Sequence, residues 1–114
     1  MIRESFSISE MRNILKKYSK IVVSEHYLDY LNKQERDIKA EDLKRFLAEE
    51  DFYFVEKQIN LWVRYKVVYE LSHKYDLVIV VKEEAKVLKV ISAYKTNKKL
   101  KEKWKKISKY RMMR

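Results

Sequence analysis

Apolar positions recur every three or four residues in the first half of the chain and every second residue after it. Ser7-Ile8-Ser9-Glu10 reads as a capping box, with Ser7 as N-cap and Glu10 at the third helical position. Ile8, Met11, Ile14, Leu15 and Tyr18 follow at helical spacing, which predicts a helix over about 8–19. Lys20 to Val23 is a short extended stretch rich in β-branched residues. Ser24 caps a second helix over about 25–33, with Tyr27, Leu28 and Leu31 on its apolar face, and Gln34 to Lys39 is a loop. A third helix is predicted over about 40–50, with Leu43, Phe46 and Leu47 inward.

The period then changes to two. Strands are predicted at Phe52 to Lys57, Trp62 to Leu71, Leu77 to Val81 and Val87 to Tyr94. In the second, Val63, Tyr65, Val67, Tyr69 and Leu71 share one face, and Trp62, Arg64, Lys66, Val68 and Glu70 share the other. The links Gln58–Asn60, Ser72–Tyr75 and Lys82–Lys86 are short, which favours an antiparallel meander. Thr96 or Asn97 caps a final helix over about 97–110, with Leu100, Trp104 and Ile107 as its apolar stripe. The expected fold class is therefore α+β. N-terminal helices pack on a four-stranded antiparallel sheet, leave its other face partly open, and are followed by a basic C-terminal helix.

A chain of 114 residues with 46% hydrophobic content suits one domain, here residues 1–114. Cysteine is absent, so disulfides and thiolate zinc sites are excluded, and two histidines are too few for a histidine-based metal site. No cofactor is expected. Glycine and proline are also absent. Phosphate loops, dinucleotide fingerprints and nucleophile elbows need glycine backbone, so those enzyme classes are set aside. Charged residues reach 39%, dominated by Lys and Glu, a composition that fits a thermophilic host. No stretch approaches the ~18–20 apolar residues of a membrane helix, and Met1 to Ser9 has no secretory core, so a cytoplasmic protein with no membrane partner is expected.

Charge changes the picture most. The formal net charge is +10, and Lys95 to Arg114 carries ten cations against Glu102, or +9, which leaves +1 for residues 1–94. Such a segment attracts polyanions: nucleic acid, an anionic membrane surface or an acidic partner protein. Lys98 and Lys99, near the start of the final helix, oppose its dipole, and a bound anion would relieve that cost.

Three short motifs point to a family. Ser24-Glu25-His26 opens a helix, Arg36-Asp37-Ile38-Lys39-Ala40-Glu41-Asp42 carries a basic residue, an Ile and an acidic helix start, and Ser92-Ala93-Tyr94 closes a strand. From about Lys20 to Thr96 the chain resembles small ribonuclease toxins of the RelE type. More closely, it is similar to a branch of the barnase–EndoU–colicin–RelE nuclease fold. That resemblance makes 1–19 an added helix, 20–96 the core and 97–114 a basic extension. It implies metal-independent cleavage of RNA by a toxin held in check by an acidic antitoxin, and it places Arg36 on the RNA.

The residues can be weighed against that chemistry. Histidine as a residue type suits proton transfer because its unperturbed pKa, ~6.5, lies near neutrality, which makes His26 the acid/base candidate; it equally fits a surface histidine in a capping turn. Arg64 and Lys66 lie two apart on one strand, roughly 6.5–7 Å, and cations so placed stabilise a crowded phosphate; the other reading is a solvated sheet face. Ser92 and Tyr94 share a face and could orient a phosphate oxygen or a base edge, or merely supply edge polarity. His26, Arg64, Lys66, Ser92 and Tyr94 thus form the candidate catalytic set. Trp62, Lys95, Lys98, Lys99, Lys101 and Lys105 join Arg36 as candidate nucleic-acid contacts. Trp62 either stacks on a base or packs under a helix. Three functions follow: a toxin-type endoribonuclease, a non-catalytic nucleic-acid-binding protein on the same fold, or a basic protein that docks an acidic antitoxin. Tyr30 and Asp37, which stand where the family carries a basic residue and a glycine, favour the second.

Overall fold

The structure is a computed structural model that describes residues 2–5, 7–18, 20–27, 38–59 and 61–97. The elements run β1 (Ile2–Ser5), α1 (Ile8–Lys17), β2 (Ile21–Val23), α2 (Ala40–Glu49), β3 (Phe52–Ile59), β4 (Val63–Glu70), β5 (Tyr75–Glu84) and β6 (Val87–Asn97). Most of the helix expected over 25–33, the loop residues 34–37 and the final helix over 97–110 fall outside the described residues; residues 25–27 do form a helical turn.

The class is α+β, and the expected meander is present as β3-β4-β5-β6 with antiparallel pairing throughout. The sheet is larger than expected and is mixed. Among the described residues it has six strands in the order β1-β3-β4-β5-β6-β2. β1 adds antiparallel to β3, and β2 adds parallel to β6 with Ile21 opposite Leu88. Lys20 to Val23 read as an extended stretch, yet nothing local says that it joins the sheet. Ile2–Ser5 offers too few apolar positions to reveal a period.

Element ends moved for identifiable reasons. α1 starts where Ser7 Oγ accepts from the Glu10 amide (3.3 Å) and ends at extended Tyr18, whose phenol donates to Glu83 on β5. α2 lacks a side-chain N-cap, but the Asp42 carboxylate reaches back to the Lys39 amide (3.2 Å). β5 and β6 extend to a two-residue turn, Ala85-Lys86, because the ladder continues to Glu84 opposite Val87. Ala85 has φ 56°, a left-handed conformation that an alanine Cβ disfavours. At the other end, Thr96 and Asn97 pair with Asp76 and Tyr75, so β6 runs through both residues expected to open the final helix.

Both described helices pack on one sheet face. Met11, Leu43 and Leu47 join Val55, Tyr65, Val67, Tyr69, Leu77, Ile79, Val81, Leu88 and Val90 in the main core. The alternation expected along β4 holds there. Phe46 and Phe52 both set ring edges against Tyr69, at 5.4 and 6.0 Å between centroids. The second face, expected to be partly open, is closed over much of its area by apolar side chains. Phe54, Val68, Val78 and Val80 form a second buried cluster, with Tyr53, Ile91 and Tyr94 packed against it. Glu56, Gln58 and Asp76 on the same face are buried too. Asp76 accepts from the Tyr53 phenol, and Gln58 Nε2 donates to Glu56 Oε1 (3.1 Å), which satisfies much of that burial.

Candidate nucleic-acid interface

The β3–β4 turn leaves the sheet at Leu61 and Trp62, both exposed, at 86% and 53%. Trp62 is not tucked under a helix. The Lys82 ammonium stands 5.4 Å from the centre of its ring, a cation–π arrangement that sets the indole beside a positive charge. Alternation along β4 places Arg64 and Lys66 on the second face next to Trp62, and the same alternation along β5 places Lys82 there. Lys82 pairs in register with Lys89 on β6. One end of this face therefore carries Arg64, Lys82 and Lys89 on successive strands, with an exposed aromatic ring beside them.

Glu84 organises two of these cations. Its carboxylate meets Lys82 Nζ at 2.9 Å and Lys89 Nζ at 3.3 Å. Hydrogen bonds from Lys82 and Lys89, reinforced by their charges, hold the Glu84 carboxyl below the ordinary range. All of these groups are partly exposed, so the pairs are screened and exchangeable. A phosphate can take the place of the carboxylate on either lysine.

Lys66 has a different setting. It stands directly opposite buried Glu56 on β3 and in line, through Val80, with Ser92 on β6. Arg64 stands opposite Gln58. Ser92 and Tyr94 do share the second face with Arg64 and Lys66, but they lie two strands away, about 10 Å. Tyr94 is half-buried against the second cluster.

His26 is not brought to this group. It is exposed in the turn after β2, whose last residue, Val23, lies level with Tyr65 through Val90 and Val81. β2 is three strand spacings from β4, about 14 Å. The neighbouring Tyr27 enters the helix-covered core, where its phenol donates to the Ala93 carbonyl. One phosphodiester does not span that gap. Lys95, on the helix-covered side opposite Leu77, is exposed at the far end of the sheet. Arg36, Lys98, Lys99, Lys101 and Lys105 lie outside the described residues.

Sequence reasoning missed Lys82 and Lys89. Lys82 fell in the expected β5–β6 loop, and only the extended ladder turns its side chain to the Trp62 side. Among the described residues no group of three His, Asp or Glu side chains could hold a metal ion, and no helix is long and apolar enough to cross a membrane. No family model, no curated protein and no solved structure matches this chain.

Proposed function

We propose that this protein binds single-stranded RNA without cleaving it, using the Trp62 end of the sheet together with the lysine-rich segment that follows β6. The exposed indole of Trp62, flanked by the Lys82 ammonium and by Arg64, supports this reading most directly. An aromatic platform takes any base by stacking, and neighbouring cations take the phosphates on either side of it. Arg64, Lys82 and Lys89 on successive strands repeat at ~4.8 Å, close enough together to follow a bent backbone. The ten cations from Lys95 onward add long-range attraction. Binding is preferred to cleavage because His26, the residue best suited to proton transfer, stands three strands from Arg64. The resemblance to RelE-type toxins supplies the choice of RNA.

Fluorescence anisotropy with a labelled single-stranded RNA tests the proposal. Affinity should fall with salt at a log–log slope of ~−3.5 if about five phosphates are neutralised. Trp62→Ala should weaken binding about tenfold, within the range of one lost stacking contact, with the far-ultraviolet spectrum unchanged. RNA incubated with chelator should stay intact. Strand scission with 2′,3′-cyclic phosphate ends, abolished in His26→Ala, would return the case to the endoribonuclease.

A further inference from the structure

At the opposite end of the sheet, on the helix-covered side, a cavity of about 480 Å³ opens between α2 and the β4–β5 turn. Small-ligand sites span ~300–1,000 Å³, are mainly apolar, and carry a few placed polar groups. This cavity fits that description. Phe46, Leu71, Leu77 and the half-exposed ring of Tyr75 form its apolar part, and Arg45 and Lys95 stand on its wall with Asp42.

The Arg45 guanidinium lies over the Phe46 ring at 5.5 Å, which orients it along the cavity wall. Its ion pair with Asp42 is long, 3.7 Å, and exposed on both sides. Asp42 Oδ2 is already held by the Lys39 amide. Arg45 can therefore turn its fork to an incoming anion at little cost. Lys95 brings a second cation to the wall from β6. Tyr75 brings a partly exposed aromatic ring to the lining.

We infer that this cavity is a binding site for a planar aromatic anion of the size of a nucleoside monophosphate. The phosphate would be held by Arg45 and Lys95, and the ring system would rest against Tyr75. The site lies on the other face from Trp62 and about 24 Å from Arg64 along β4, so it does not depend on the RNA surface.

Isothermal titration of the full chain with adenosine monophosphate and with adenosine tests this. The monophosphate should bind more tightly than the nucleoside. The double variant Arg45→Ala/Lys95→Ala should weaken the monophosphate at least about tenfold and leave adenosine within about twofold, because a bidentate charge-assisted contact is lost. Tyr75→Ala should weaken both ligands, and Trp62→Ala neither. Circular dichroism confirms that each variant is folded. Equal affinity for the two ligands overturns the inference, as does full affinity in the double variant or loss of monophosphate binding in Trp62→Ala. RNA binding without monophosphate binding removes the cavity site alone. Monophosphate binding without RNA binding removes the RNA surface and sustains the cavity site.

Discussion

The phenol of Tyr27 donates a buried hydrogen bond to the backbone carbonyl of Ala93. The two residues are 66 positions apart, and the bond ties the turn after β2 to the middle of β6. Tyr27→Phe keeps the ring in the core but leaves that carbonyl without its donor. Urea denaturation should show a loss of about 1–3 kcal/mol, the cost of a buried unsatisfied acceptor.

The same substitution at Tyr69 should act the other way. Its hydroxyl is buried with no hydrogen-bond partner among the described residues, while its ring is gripped by Phe46 and Phe52. Tyr69→Phe removes the stranded hydroxyl and keeps the edge contacts. Stability should be unchanged or raised by up to about 1 kcal/mol in the same assay.

Alkali should unfold the protein through its buried phenols. Burial, followed by the charge of Glu83 and a hydrogen bond to it, pushes Tyr65 from 10.0 up to about 12. Burial also raises Tyr69 and Tyr53, with Asp76 adding to the shift at Tyr53. A folded-state pKa above the unfolded value gives stability that is complete below about pH 10 and is lost as pH rises towards 12. Tyrosinate absorbance and circular dichroism should therefore change together between those limits. Ionisation completed well before the loss of secondary structure would contradict the burial.

Glu84 restrains RNA binding if Lys82 and Lys89 hold phosphates. Glu84→Gln releases both ammonium groups from an exposed carboxylate. RNA affinity at low salt should rise several-fold, and the salt slope should steepen by ~0.7 for each phosphate gained. Unchanged affinity and slope would place the RNA elsewhere.

Much of the fold was legible because burial writes its own period. Tyr65, Val67 and Tyr69 announced β4, and Leu43, Phe46 and Leu47 announced α2. The pairing partner of a short strand leaves no such trace, since Ile21-Val22-Val23 looks the same whether it meets β6 or solvent. The second face misled for a related reason. Glu56, Gln58 and Asp76 are polar residues made buriable by hydrogen bonds, Gln58 to Glu56 along β3 and Tyr53 to Asp76 across the sheet, and polarity alone reads as exposure. Arg64 and Trp62 were found because two-residue alternation placed them together. Lys82 and Lys89 were hidden because their place depends on how far the β5–β6 ladder runs. The distance between His26 and Arg64 was beyond the sequence altogether, because strand order decides it.

That strand order also shapes how the polypeptide matures on the ribosome. β2 emerges early, but its hydrogen-bonded neighbour is β6, the last strand of the sheet to be made. Until Val87–Asn97 arrives, the nascent chain displays an apolar edge at Ile21–Val23. A β6 segment from a second copy would match that edge equally well, so strand exchange between crowded copies is the natural misassembly of this architecture.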